Sequence, residues 1–230
     1  MAIKNRPEFE KFIRRVEKSS DEFRASSTKK RHSKQYRTAR ENLAHLVDQD
    51  SFLEFGQFAV AAQRNRRNYE ELQDKTNADG IITGFCSVNS GLVGSESSQA
   101  VAIVYDYSVL AGTQGAFHHL KLDRICDQAK KFELPIVIFT EGGGGRPGDT
   151  DVLVQMAGLH IPSFSTWAQL TGSSLKIAVN NEVIIPIKSV VAKPLIGPVP
   201  KTNRTSAVTP VVILASKIDD NALLKPSDTA

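Results

Sequence analysis

The stretch of this sequence richest in potential chemistry is Thr140-Glu141-Gly142-Gly143-Gly144-Gly145-Arg146-Pro147-Gly148-Asp149-Thr150-Asp151. Glycine loses more backbone entropy on folding than any other residue. Four in succession are therefore costly unless the chain needs unusual dihedrals or a ligand must approach its backbone. The apolar run at residues 135–140 suits a buried strand, and residues 152–159 suit an apolar helix. A strand-to-helix turn presents backbone N–H donors that can hold an anion or a developing oxyanion, and the helix N-terminus that follows adds partial positive charge. A merely flexible turn is the alternative. The Walker pattern fails, because no Lys followed by Ser or Thr comes after the last glycine. Gly143, Gly145 and Gly148 match the bare spacing of a dinucleotide loop, but no acidic residue lies about twenty positions further on and Pro147 crowds the turn. A serine flanked by glycines, as in a nucleophile elbow, is absent from the loop.

The elements around the loop follow from apolar spacing. After Pro7, Phe9, Phe12, Ile13 and Val16 fall at i, i+3, i+4 and i+7, an amphipathic helix with one narrow stripe that predicts docking on another surface. Thr38-Ala39-Arg40-Glu41 has the capping-box spacing, and Leu43, Leu46 and Val47 supply the buried face of a second helix. Residues 64–79 are polar. Residues 80–89 and 100–107 are β-branched and aromatic and predict paired strands, with 90–98 as the turn. Helical spacing returns at 113–132, with Leu122, Ile125, Cys126 and Ala129 on one face and Lys121, Asp123, Lys130 and Lys131 largely outside it. His118 and His119 stand at the start of that helix, as hydrogen-bonding groups at the mouth of a site or as satisfied surface histidines. Cys126 is expected in the core. The order strand, strand, helix, strand, glycine loop, helix predicts an α/β fold in which helices cover a sheet and ligands gather at the strand ends.

Composition narrows the classes further. The chain has 230 residues, 40% of them apolar, enough for one well-buried domain plus extra segments. There is no run of eighteen apolar residues, and the first thirty residues mix Lys and Arg with Glu8, Glu10, Glu17, Asp21 and Glu22, which argues against export and membrane insertion. Cys86 and Cys126 lie outside any metal or redox spacing, so a metal site is not expected and a reducing cytoplasm fits best. Residues 1–40 hold thirteen Lys or Arg against five Asp or Glu. This excess is read as a solvated helical face, or else as a surface for the phosphate-rich end of a coenzyme; nucleic acid is not expected, since no aromatic interleaving accompanies it. Residues 182–230 hold six of the ten prolines, one glycine and no aromatic, a composition suited to extended edges and loops.

Several motifs taken together resemble one family. They are Tyr36-Arg37-Thr38-Ala39-Arg40-Glu41, Asp50-Ser51-Phe52-Leu53-Glu54-Phe55-Gly56, Ala61-Ala62-Gln63-Arg64, Ala78-Asp79-Gly80-Ile81-Ile82-Thr83-Gly84, Tyr105-Asp106-Tyr107-Ser108-Val109-Leu110-Ala111-Gly112-Thr113-Gln114-Gly115, the glycine loop, and Phe164-Ser165-Thr166-Trp167-Ala168-Gln169-Leu170-Thr171-Gly172. In this order, over residues 34–181, the chain resembles the carboxyltransferase subunits and domains of biotin-dependent acyl-CoA carboxylases. The resemblance implies an incomplete crotonase-like α/β core at 35–181, preceded by a basic helical segment at 1–34 and followed by a divergent tail at 182–230. It implies transfer of a carboxyl group from carboxybiotin, carried on a separate domain, to the α-carbon of an acetyl-, propionyl- or longer acyl-CoA, with liberated biotin as the base and no metal.

On that resemblance, the backbone donors at the acyl-CoA oxygen fall on Gly144 and Gly145, and Gly143 permits the turn. Arg146 either contacts the coenzyme or pairs with Glu141 or Asp149. The implied partners are acyl-CoA, biotin carboxylase and biotin carboxyl carrier components, a complementary carboxyltransferase half, and further copies in an oligomer. From residue 182 the likeness stops, and the biotin-side half of the family pattern has no counterpart. The expectation is therefore an acyl-CoA-binding part that does not complete transfer alone. A non-catalytic crotonase-fold protein that associates with carboxylase subunits is the other reading.

Overall fold

The computed structural model describes residues 6–152, 162–170 and 176–180. Its centre is β3 (Gln99–Tyr105), whose alternate side chains face opposite ways and are nearly all buried. Val101, Ile103 and Tyr105 join one apolar cluster, while Ala100, Ala102 and Val104 join another, so the strand needs cover on both faces. The sheet runs in the order β1 (Leu53–Phe55), β2 (Ile81–Ser87), β3, β4 (Ile136–Thr140), β5 (Lys176–Asn180). β1, β2 and β3 are antiparallel neighbours, whereas β3, β4 and β5 run parallel, with Val101 opposite Ile136 and Val104 opposite Phe139. A parallel neighbour requires a crossover, and here it contains the longest of the described helices, α6 (Ala116–Lys131).

α6 covers the first face through Leu122, Ile125, Cys126 and Ala129, which pack on Ile81, Val101, Ile103 and Ile136. Its end is a Schellman motif. Glu133 takes a left-handed φ of 53°, the Leu134 N–H reaches the Ala129 carbonyl at 2.9 Å, and Pro135 follows. The second face is covered by α3 (Ala39–Leu46) through Ala39 and Leu43, packed against Ile82, Cys86, Ala102 and Phe139. The capping box expected at Thr38 is formed: the Glu41 N–H donates to Thr38 Oγ1 at 3.0 Å, and the Thr38 N–H donates to Glu41 Oε2 at 2.7 Å. Cys126 is a core residue.

Two expectations need correction. Lys121 belongs inside rather than outside, because it shares the stripe of His118, Leu122 and Ile125, and its ammonium group donates to the carbonyls of Ala78 and Ile81. Burial lowers its pKa to about 8. The helix α1 (Pro7–Glu17) buries none of its residues; Phe12 meets Phe58 edge-on at 5.6 Å, and polar contacts hold the helix, among them Arg15 with Asn77 at 3.2 Å and Lys18 with Asp74. α2 (Ala25–His32) lies within residues 1–34, where a basic helical segment is expected, whereas α4 (Tyr69–Lys75), the single turn α5 (Ser90–Val93) and β1 were not expected. They are short, and α4 lacks an apolar period. The apolar run at 152–159 and the tail at 182–230 lie outside the described residues. None of the described helices is long and apolar enough to cross a membrane.

Thr38 Oγ1 also donates to Asp21 Oδ2 at 2.5 Å, so it joins the turn before α2 to the start of α3. Thr38→Ala should cost about 1–2 kcal/mol, the usual worth of an N-cap. Thermal melts should show a fall of about 2–4 °C per kcal/mol for a chain of this size.

Candidate functional site

Because β3 and β4 are parallel, their C-terminal ends share one edge of the sheet, and the chain leaves each there in an irregular segment. From β3 comes Asp106-Tyr107-Ser108 and then residues 109–115; from β4 comes the glycine loop. The two segments touch closely. A Cβ on Gly142 would stand 2.7 Å from the Gly112 oxygen, and one on Gly112 would stand 2.3 Å from the Glu141 oxygen. Gly144 has a φ of +86°, a region that L side chains rarely adopt. The glycines thus serve close approach at Gly142 and backbone conformation at Gly144; a Cβ on Gly143 would lie 3.1 Å from the Ala111 oxygen.

The loop is pinned on one side only. The Gln114 N–H donates to the Gly144 carbonyl at 2.8 Å, and the Arg146 N–H donates to the Gln114 carbonyl at 2.8 Å, making an isolated parallel bridge between Gln114 and Gly145. Among the described residues, no acceptor takes the N–H of Gly144 or Gly145, and both glycines are exposed. An N–H in that state can serve an anionic or carbonyl oxygen of a ligand.

Beside the loop lies a cleft of about 710 Å³ whose far wall is α2. Ser27, Lys30, Arg31 and Lys34 line it at i, i+3, i+4 and i+7, one helical face continued past the end of α2; Tyr107 and Gly142 line the side towards the loop. Arg31 is committed to structure. Its guanidinium makes two bonds to Glu141, at 2.6 and 2.7 Å, donates to the Arg37 carbonyl, and lies over the rings of Tyr36 and Tyr107 at 5.2 and 5.9 Å. Arg24 anchors the start of α2, reaching Asp106 at 2.6 Å and Ser108 at 2.8 Å. Burial opposes the Asp106 anion, but Arg24 and Ser108 outweigh it and hold the carboxyl below its ordinary value. Lys30 and Lys34 have no side-chain partner among the described residues, leaving two cations free to meet an anion in the cleft.

Arg146 does not face the cleft. It is 4% exposed, its guanidinium pairs with Asp79 and lies 3.6 Å from Asp149, and it donates to Thr113 through Nε at 3.2 Å and through Nη2 to the carbonyl at 2.6 Å. The pair made by Glu141 is with Arg31 instead. The histidines depart from the surface reading as well. His118 is fully buried, its Nδ1 lies 3.3 Å from the Asp79 carbonyl, and its ring meets Tyr105 edge-on at 4.7 Å. Nε2 has no partner among the described residues, and burial pushes the imidazole down to about 3. His119 is partly buried and also lowered, by burial first. No group of three or more His, Cys, Asp or Glu among the described residues could hold a metal.

The sequence located the loop and marked residues 1–40 as a solvated basic face or a surface for the phosphates of a coenzyme, but it did not single out Ser27, Lys30, Arg31 and Lys34 as one wall of a cleft, because α2 has no apolar period.

A mixed sheet covered by helices, with an open glycine loop at the parallel strand ends, defines a crotonase-like α/β core, and structural neighbours share it. A single-chain, multi-domain long-chain acyl-CoA carboxylase superposes with a TM-score of 0.71 at 45% identity, covering 76% of this chain and 17% of that one. Transcarboxylase 12S, solved as a hexamer with methylmalonyl-CoA, superposes with a TM-score of 0.50 at 23% identity, covering 78% and 33%, a likeness of fold. Residues 30–159 match the carboxyl transferase domain, and the chain belongs to that family. Among its relatives, the methylmalonyl-CoA decarboxylase subunit alpha of Veillonella parvula is 31% identical over 117 residues, 51% of this chain and 21% of that subunit. The acetyl-CoA carboxylase carboxyl transferase subunit beta of Prochlorococcus marinus is 33% identical over 127 residues, 51% of this chain and 41% of that subunit. The chain therefore spans 21% and 41% of the length of these two relatives.

The burial of His118 has a pH signature. Its folded value of about 3 lies below the unfolded value of about 6.5, so between these limits the unfolded chain binds the extra proton. The stability it contributes is complete above about pH 6.5 and is lost as the pH falls towards 3. Long-range proton–nitrogen spectra should show His118 as a neutral imidazole from pH 8 down to pH 5; a midpoint above about 5.5 would contradict so deep a burial of the ring.

Proposed function

We propose that this chain supplies the acyl-CoA-binding face of a biotin-dependent carboxyltransferase. The observation that carries the reading is the cleft itself, which joins Lys30 and Lys34, without a side-chain partner among the described residues, at one wall to Gly142, the first residue of the exposed glycine run, at the other. Coenzyme A has polyphosphate at one end and a thioester at the other, so its chemistry matches this polarity. The two lysines take the phosphates, and Tyr107 and Gly142 border the path to the acyl end. At the loop, the N–H groups of Gly144 and Gly145 face the thioester oxygen. Removal of an α-proton moves charge onto that oxygen, and each preorganised donor is worth roughly 3 kcal/mol in the transition state.

Carboxybiotin, delivered on its carrier domain, supplies the carboxyl group and the base. The α-carbon forms a bond to the carboxyl carbon as the N–C bond of carboxybiotin breaks, and the α-proton passes to the biotin nitrogen. The residues of this chain bind and polarise; none acts as nucleophile. Arg146 acts behind the loop and not on the coenzyme. The biotin-side donors come from a complementary half, consistent with the fraction of its relatives that this chain spans, and biotin carboxylase and carrier components act with the complete assembly.

Calorimetry with CoA and propionyl-CoA tests the reading. Saturable binding of both is expected, and Lys30→Glu with Lys34→Glu should weaken it by about tenfold or more, given the strength of charge-assisted contacts to phosphate. Wild-type protein that binds neither ligand would favour a non-catalytic protein of this fold. A radiolabel assay addresses turnover. With carboxybiotin and propionyl-CoA, the chain alone should give no carboxylated thioester, because transfer needs both substrates held together and a misplacement of about 1 Å costs roughly a hundredfold.

A further inference from the structure

We infer that Asp79 is a positioning residue for the glycine loop, acting through Arg146. The inference rests on the acyl-CoA reading above and adds to it the group that sets the direction of the loop's N–H donors. Asp79 is fully buried and touches no open space, so it cannot meet a ligand itself. It stands in the short turn Asn77–Gly80 that leads into β2, and both Ala78 and Asp79 hold left-handed φ angles, 52° and 51°, which L residues adopt at a cost. The carboxylate divides its two oxygens. Oδ1 takes Arg146 Nη1, and Oδ2 takes the His118 N–H in the first turn of α6 at 2.7 Å.

Arg146 carries the constraint onward. Its Nη2 and Nε hold both oxygens of Thr113, while its own backbone N–H is bonded to the Gln114 carbonyl. Gln114 in turn donates to the Gly144 carbonyl. A trans peptide sets its C=O and N–H on opposite sides. With the Gly144 carbonyl turned towards Gln114, the Gly145 N–H is turned away, out to the exposed side of the loop. Asp149 completes the clamp, accepting the Ala116 N–H at 2.8 Å and the Gln63 amide at 3.1 Å. A buried ion pair is a poor source of net stability, because desolvation offsets most of the attraction, so a geometric role explains it better.

The test uses the full chain and a pair of ligands that differ at one oxygen: propionyl-CoA and its carbonyl-free thioether, S-propyl-CoA. Wild type should prefer the thioester by about tenfold, the worth of about one net hydrogen bond. Asp79→Asn should lower that preference to about twofold or less while leaving thioether affinity nearly unchanged, since only the oxygen contact depends on loop direction. Arg146→Lys keeps the charge for Asp79 but loses the hold on Thr113, and should act in the same way if Asp79→Asn does not fold. Glu54→Gln, which breaks the separate pair with Arg40, should leave the ratio at the wild-type value. Amide exchange gives a second readout: Gln114 and Arg146 should exchange at least about tenfold faster in Asp79→Asn, with the Leu122 to Cys126 amides still protected. Equal weakening of both ligands, or unchanged exchange at Gln114 and Arg146, would overturn the inference. Wild type that binds both ligands equally would instead defeat the oxyanion reading of the loop, and the exchange measurement would still decide the role of Asp79.

Discussion

The parallel pairing of β3 with β4 is the constraint on which the rest of the site depends. Val101 opposite Ile136 and Val104 opposite Phe139 set a register that brings both strand ends to one edge. An antiparallel pairing would carry the glycine loop to the far edge, away from Gly112 and Gln114. The crossover that permits parallel pairing contains α6, and the N-terminus of that helix comes to the same edge. Two buried carboxylates, Asp79 and Asp149, accept its first free N–H groups. The positive end of the helix is thus neutralised from within the protein, while the N–H groups of Gly144 and Gly145 have no acceptor among the described residues.

Charge is distributed accordingly. The arginines nearest the site, Arg24, Arg31 and Arg146, are each paired with a carboxylate and build the walls, whereas Lys30 and Lys34 have no side-chain partner in the cleft among the described residues. This division suits the two side chains. A planar guanidinium holds several oxygens in fixed geometry, while an ammonium group on a flexible stem can follow a mobile phosphate.

Much of this was legible in the sequence, and what was not has a physical reason. β-Branched and aromatic runs at residues 80–89 and 100–107 located the strands, continuous because both faces of the sheet are buried, and the helical stripe from Leu122 to Ala129 located α6 because one face of it is. Thr38 and Glu41 declared a helix start through local hydrogen bonds alone. The bounds of α2 within the basic helical segment were not visible, since tertiary salt bridges and no apolar face hold it. Lys121 and His118 were misplaced for a related reason: polar side chains read as surface until a buried carbonyl or carboxylate is known to meet them. The glycine loop stood out as an anomaly of composition, but which glycine serves contact and which serves φ depends on Gly112 and Gln114, some thirty residues earlier.

The two arginine anchors of α2 bear on where this domain begins. Similarity to the family starts at residue 30, inside α2. A boundary drawn there would remove Arg24 and leave Asp106, buried at the end of the central strand, without its counter-ion. Four residues further on it would remove Arg31 too, stripping Glu141 of its partner at the entrance to the glycine loop. In folding terms the basic segment is no appendage: it supplies the counter-ions of Asp106 and Glu141, and a shortened chain would leave a carboxylate buried at Asp106 with no cation beside it.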